Sequence, residues 1–145
     1  MAWSNPHEAG GPQPLYHFGG ANMSAGYLAF KWGTGANFLT PVGPTDQNVD
    51  GVGTSTGKAG YAAYAGALVQ VLTRLPGNGG GANFSVQANQ VYAVATAGGD
   101  AGKVVGNQTG LGSGNVFKCI ETTQNSDPSV QIEVPVWYVV WKPRA

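Results

Sequence analysis

The chain has 145 residues, of which 42% are hydrophobic and only 10% are charged, and its seven basic and seven acidic side chains leave no net charge. One domain of ordinary size is expected from this length, and the composition excludes intrinsic disorder, which requires low hydrophobicity together with high net charge. The basic side chains are scattered and no apolar run approaches the roughly 18 residues of a membrane span, so neither nucleic acid nor a membrane is an expected partner.

Residues 1–20 differ in composition from the rest of the chain. Prolines and two Gly-Gly pairs disfavour regular structure there, yet several side chains are too apolar for an idle terminus. We therefore predict an extended N-terminal arm that lies on a surface, either its own or a neighbour's; a frayed terminus is the alternative. The candidate interface residues of this arm are Trp3, Pro6, Leu15, Tyr16 and Phe18. The first residues lack the pattern of a signal peptide, so synthesis in a cytoplasm is expected.

Residues 21–145 are predicted to form a single β domain. The first predicted strand covers residues 27–32, in which Leu28, Phe30 and Trp32 share one face, and Ala29 and Lys31 take the other. Further strands are predicted within 37–40, 49–53, 67–73, 88–94, 103–105 and 116–120, separated by turns rich in Gly, Asn and Pro. Segment 61–72 is the best helix candidate, but its glycines and β-branched residues limit it to a turn or two. The pattern predicts an all-β fold, a small β-barrel or β-sandwich of short strands with Gly-rich turns.

The last predicted strand, which starts at residue 130, is apolar on both sides over its second half. Its even-numbered residues are apolar or aromatic throughout. Its odd-numbered residues begin polar, with Gln131 and Glu133, and end with Trp137, Val139 and Trp141. A strand that is apolar on both sides needs cover from another element or another subunit. Trp137, Val139 and Trp141 are therefore candidate interface residues, covered either by a partner or by the chain's own arm.

No motif in the sequence predicts a catalytic apparatus. Residues 53–57 match the G-x-S-x-G pattern of serine hydrolases, but His7 and His17 both precede Ser55, whereas that pattern places histidine last. The single cysteine, Cys119, lies in an apolar stretch and is expected to be a small buried hydrophobe. Two histidines without a companion cysteine do not suggest a zinc site. We predict no catalytic residue, no metal site and no cofactor.

Six segments of the sequence carry a resemblance to a known protein family. They are 24–30 (SAGYLAF), 49–53 (VDGVG), 67–71 (ALVQV), 88–93 (ANQVYA), 102–106 (GKVVG) and 130–134 (VQIEV). In this order they resemble the head-decoration, or capsid cement, proteins of tailed bacteriophages. In that family each block is a short strand entered through a glycine-containing turn. The resemblance covers roughly residues 21–134, and the chain has Asn89 where the family usually has a glycine.

The resemblance implies a non-enzymatic virion structural protein. Such a protein assembles, often as a homotrimer, on the outer surface of the capsid and clamps neighbouring major capsid protein subunits against the pressure of the packaged DNA. Three alternatives stay open at this point. They are a carbohydrate-binding β-sandwich that stacks sugars on Trp32, Trp137 and Trp141, another virion accessory such as a fibre or tail protein, and a small hydrolase.

Overall fold

A computed structural model describes residues 13–14, 25–32, 39–41, 49–53, 61–62, 64–79, 84–95, 98–106 and 115–141. These residues form twelve β-strands, one 3-10 turn at Gly98–Asp100 and no α-helix, which confirms the predicted all-β fold. The strands are β1 Gln13–Pro14, β2 Ala29–Trp32, β3 Leu39–Pro41, β4 Gly51–Val52, β5 Tyr61–Ala62, β6 Leu68–Leu75, β7 Ser85–Val86, β8 Val91–Ala93, β9 Val104–Val105, β10 Asn115–Cys119, β11 Thr123–Gln124 and β12 Ile132–Val140.

The strands form two five-stranded sheets and one two-stranded sheet. The first sheet has the order β1-β5-β4-β2-β3, the second β8-β10-β12-β6-β9, and β11 pairs with β7. Both edge strands of the first sheet contain a proline, Pro14 in β1 and Pro41 in β3, as expected because an edge strand loses no ladder bond to proline. β1 belongs to the predicted arm, so residues 13–14 of that arm pair with Tyr61 and Ala62 of the same chain.

The second sheet is built around the antiparallel pair of its two longest strands. β6 and β12 pair continuously from Ile132 opposite Leu75 to Val139 opposite Leu68. Pro135 is tolerated inside β12 because it lies opposite Leu72, whose N–H donates to Tyr27 O at 2.9 Å and not to β12. A proline at such a position removes no bond from the ladder.

The second sheet nearly closes on itself and is barrel-like. One of its edges is β8 and the other is β9, which runs parallel to β6. Just after β8, Ala95 N donates to Lys103 O and Gly102 N donates to Ala95 O, both at 2.9 Å. These two bonds join the end of β8 to the start of β9 and bring the two edges together, which protects the edge strands from pairing with other chains.

The two large sheets meet at a close backbone contact beside Gly102. Ala29 N donates to Gly102 O at 2.9 Å, and a Cβ on Gly102 would lie only 2.7 Å from Ala29 O. Gly102 also has a φ of +83°, which residues with a Cβ rarely adopt. Only glycine fits this junction without a shift of the β2 backbone.

The core between the sheets contains one buried polar pair among aliphatic and aromatic side chains. Tyr138 and Thr73 are fully buried, and their hydroxyl oxygens lie 2.7 Å apart. Thr73 Oγ1 donates in turn to Val71 O at 3.1 Å. The ring of Tyr138 packs against Phe117 with centroids 5.8 Å apart. Burial raises the pKa of Tyr138 far above its ordinary value, so its hydroxyl stays protonated.

One detail of the predicted first strand is wrong, and a second feature of it was not predicted. The strand begins at Ala29 and not at Tyr27, because Tyr27 has a φ of 61°, which no strand residue adopts. Ala29, expected on the opposite face from Leu28 and Phe30, is as fully buried as they are. Ala29 belongs to the main hydrophobic core together with Val49 and Val52, so both faces of the strand are dry at this point.

The strand predicted within 88–94 is β8, Val91–Ala93, and a turn precedes it. Gln90 N donates to Gln87 O, which closes a turn, and Asn89 in this turn has a φ of 68°. Left-handed backbone favours glycine, and asparagine is among the few other residues that tolerate it. The pairing of β7 with β11 was not predicted, because strands of two residues leave no periodic pattern.

Candidate binding surface on the second sheet

The second half of β12 has one buried face and one exposed face. Val136, Tyr138 and Val140 point into the core. On the other side, Trp137 is 41% exposed and Trp141, the residue after the strand, is 54% exposed. β6 and β10 flank this half of β12 on both sides. The two indole rings are therefore carried by a central strand with a regular backbone and not by a loop.

Neighbouring strands add apolar side chains to the same surface. Val139 is opposite Leu68 on β6 and opposite Lys118 on β10, and Trp137 O accepts a hydrogen bond from Ile120 N. Leu68 is 37% and Ile120 41% exposed, although large apolar side chains are normally covered. We call this surface the aromatic face. It consists of Leu68, Lys118, Ile120, Trp137, Val139 and Trp141.

The only cation of the aromatic face lies against an indole ring. Lys118 Nζ is 4.8 Å from the ring centroid of Trp141, within the range of a cation–π contact. In the part of the chain that the structure describes, Lys118 has no carboxylate within ion-pair distance. Its ammonium group therefore remains a charge that any molecule covering the face must desolvate or pair.

Charges at the opposite end of the sheet are already paired. Arg74 Nε lies 2.9 Å from Asp100 Oδ1, and Lys103 Nζ lies 2.8 Å from Glu133 Oε1. By contrast, the exposed Glu121, which follows Ile120 at the end of β10, has no side-chain partner among the described residues. Counting only the described residues, the aromatic face thus has one cation without an ion-pair partner and, at its rim, one carboxylate without one.

The aromatic face is about as large as the largest apolar patch on a typical monomer. A tryptophan side chain presents up to about 250 Å², so the two indoles expose roughly 200–250 Å² at their observed fractions. With Leu68, Ile120 and Val139 the total reaches roughly 400 Å², within the range of about 300–600 Å² for the largest patch on a typical monomer, which is often functional. The face is thus a candidate binding surface.

The Cys119 thiol and the Tyr92 hydroxyl, two groups that could react, are both buried and hydrogen-bonded within the fold. Cys119 is buried and donates to Glu121 O at 3.0 Å, and burial raises the pKa of its thiol. Tyr92 accepts a hydrogen bond from Gln87 N at 2.7 Å, and burial likewise raises its pKa. Within these residues no three His, Cys, Asp or Glu side chains are grouped as metal ligands, and no helix is long and apolar enough to cross a bilayer.

The structure brings together three of the residues predicted from the sequence. Trp137, Val139 and Trp141 lie on one exposed surface. Trp32, part of the predicted sugar-binding platform, lies in β2 of the first sheet and not on this surface. The candidate arm residues Trp3, Pro6, Leu15, Tyr16 and Phe18 lie outside the described residues, as do the Ser55 motif and both histidines.

Sequence reasoning missed the contributions of β6 and β10 to the aromatic face. Leu68 and Ile120 are apolar, but the alternation of their own strands places them opposite to the buried side chains. This mismatch could have been noticed in the sequence. That they join the tryptophans depends on strand register, which the sequence does not reveal.

A scan against family models, a search of curated proteins and a search of solved structures each found no match to this chain.

Proposed function

We propose that this protein is a non-enzymatic capsid decoration protein of a tailed bacteriophage. It binds the outer surface of the head and clamps neighbouring major capsid protein subunits, which stabilises the shell against the pressure of packaged DNA. It acts as a homo-oligomer, a trimer by analogy with the family that its sequence resembles. The observation that carries the proposal is the exposed aromatic face around Trp137 and Trp141.

The nature of the face favours a protein partner. Tryptophan is enriched at the centres of protein interfaces, where charged residues other than arginine are depleted. Leu68, Ile120 and Val139 add aliphatic side chains without hydrogen-bonding groups beside the indoles, and Gln70, opposite Trp137 on β6, adds a half-buried amide. A small, nearly closed β domain is also a scaffold on which such a face is held without rearrangement.

The size of the face explains why a clamp of this kind would act as an oligomer. Covering roughly 400 Å² contributes about 10 kcal/mol at 25 cal/mol per Å². Association costs an estimated 4–15 kcal/mol in lost freedom of motion, so a single contact of this size is marginal. The face is therefore suited to a contact between subunits of an oligomer. The oligomer engages several capsid sites at once through other surfaces, including the arm, so it gains from effective concentration and dissociates slowly although each contact is weak.

The proposal is tested with shells assembled from the major capsid protein of the same phage without any decoration protein. Full-length protein is mixed with the shells, and both the sedimented fraction and the melting temperature of the shells are measured. We expect saturable co-sedimentation and a higher shell melting temperature. A wild-type chain that is folded and oligomeric but stays in the supernatant at every concentration would disprove the capsid function.

The arm's part in this function is tested in the full-length chain. Replacing Tyr16 and Phe18 by alanine should weaken shell binding while leaving the folded domain intact, because aromatic anchors contribute most of the energy of such contacts. The matched control is Val130→Ala, an exposed apolar residue in a turn away from the aromatic face. Unchanged binding of the arm variant would show that the arm is not part of the contact.

A carbohydrate-binding module is the second candidate, favoured by one observation. Trp137 and Trp141 lie on the same side of one strand, about 13 Å apart along it at 3.3 Å per residue, and exposed indoles stack on sugar rings. A glycan array probed with the full-length protein distinguishes the two functions. Binding to a glycan that is lost in Trp141→Ala would favour the sugar module, whereas the capsid function predicts no specific signal.

A further inference from the structure

The two unpaired charges at the aromatic face identify what can cover it. Covering Lys118 without a carboxylate opposite would leave a buried charge, which costs several kcal/mol. The partner must therefore present a carboxylate next to apolar groups. The described part of this chain carries such a combination: Glu121 directly follows the exposed Ile120 at the rim of the same face.

We propose that a second copy of this chain covers the aromatic face, with Lys118 of one copy paired to Glu121 of the partner subunit. The inference rests on the self-association in the proposed function, but not on its capsid partner. A chain that carries a cation and a carboxylate at one face can pair each of them with the opposite charge of an identical subunit, in a dimer or in a closed ring. The other described carboxylates do not offer this: Asp100 and Glu133 are already in ion pairs, Asp127 accepts hydrogen bonds within its own turn, and Asp50 lies beside β4 in the first sheet.

The area of the face fits a contact between subunits of a small oligomer. Roughly 400 Å² of exposed apolar side chains is about half of the ~800 Å² that each partner contributes to a standard interface. A polar rim that includes Lys118 and Glu121 supplies more of that area, as rims of interfaces do. The assembly should therefore be stable at high concentration and should dissociate on dilution.

The test is a charge exchange in the full-length chain, measured by light scattering over a range of concentrations. The variants are Lys118→Glu, Glu121→Lys and the double variant, with Gln124→Glu as a control that adds a charge on exposed β11. Each single variant should weaken assembly at least about tenfold, that is by about 1.4 kcal/mol, because it places like charges opposite each other. The dissociation constant of the double variant should lie within about tenfold of the wild-type value. The control variant should assemble like the wild type.

The lost contact between Lys118 and Trp141 does not obscure this result. An exposed cation–π pair contributes about 0.5–1 kcal/mol, which is less than about a fivefold change in affinity. The proposal is overturned if both single variants assemble like the wild type, or if the double variant is folded by circular dichroism but stays as dissociated as the singles. If the charge variants assemble as strongly as the wild type, this proposal is wrong but the capsid function still stands. Shells that bind no protein, with charge-dependent assembly intact, would remove that function alone.

Discussion

The buried hydroxyl pair of Tyr138 and Thr73 allows the core to be tested, because the structure predicts which of two substitutions lowers the free energy of unfolding more. Because Thr73 Oγ1 donates to Val71 O, the Tyr138 hydroxyl must be the donor to Thr73. Tyr138→Phe removes one hydrogen bond but leaves the Thr73 hydroxyl paired, so it should cost about 1 kcal/mol. Thr73→Val leaves the Tyr138 O–H buried without an acceptor, which should cost about 2–3 kcal/mol although the shape of the side chain is kept.

The double variant Thr73→Val with Tyr138→Phe tests whether the two hydroxyl groups are coupled through their hydrogen bond. With both partners apolar, no buried donor remains, so the double variant should cost less than the sum of the two singles by at least about 1 kcal/mol. The assay is urea unfolding followed by tryptophan fluorescence, with Thr123→Val as a surface control that should stay within about 0.5 kcal/mol of the wild type. Additive single effects, or a Thr73→Val variant no less stable than Tyr138→Phe, would refute the hydrogen-bond assignment.

Three further predictions concern stability. Burial raises the pKa of Tyr138 and Tyr92 above the ordinary value of 10.0 that they keep in the unfolded chain. Each contribution is therefore fully present below pH 10 and is lost as the pH rises above it. For Tyr138, whose pKa is raised most, the loss approaches about 1.4 kcal/mol per pH unit. Urea unfolding should show this loss, with a shallower slope in Tyr138→Phe; a free energy of unfolding that does not change up to about pH 11 would contradict it. Asn89→Gly should raise the melting temperature slightly and Asn89→Ala should cost about 1 kcal/mol, because the φ of 68° is left-handed; equal stability of the two variants would argue against that conformation. Asn125→Ala should cost about 2–4 kcal/mol, because the two protons of its buried amide nitrogen serve three backbone carbonyls within hydrogen-bond distance, one proton being shared, whereas the exposed neighbour variant Ser126→Ala should have little effect; thermal melts that rank the two variants alike would contradict this.

Local alternation predicted much of what the structure contains. The odd-numbered residues at the end of β12 were identified as an uncovered apolar side because a period of two depends only on the strand itself. The same logic placed β6 and β10 to within a few residues. Asn89 departed from the glycine typical of the resembling family, and its left-handed φ shows why a glycine would suit that position.

What the sequence could not predict depends on pairing between distant segments. The joining of the second sheet through Ala95 and Gly102, the parallel pairing of β6 with β9, and the position of Leu68 beside Val139 all follow from register. Register is set by the whole core and by turn geometry and not by any single strand. For the same reason, the neighbourhood of Lys118 and Glu121 with the tryptophans was not visible in the sequence.

Hydroxyl-radical footprinting of the full-length chain tests most directly whether another subunit covers the aromatic face. The oxidation rates of Trp137 and Trp141 are measured by mass spectrometry over a wide range of protein concentrations, with the peptide around the exposed Val130 as an internal reference. We expect rapid oxidation of both indoles in dilute protein and strong protection in concentrated protein, while the reference peptide stays unchanged. Equal oxidation of Trp137 and Trp141 at every concentration would show that the face remains open to solvent and would contradict its role as a contact between subunits.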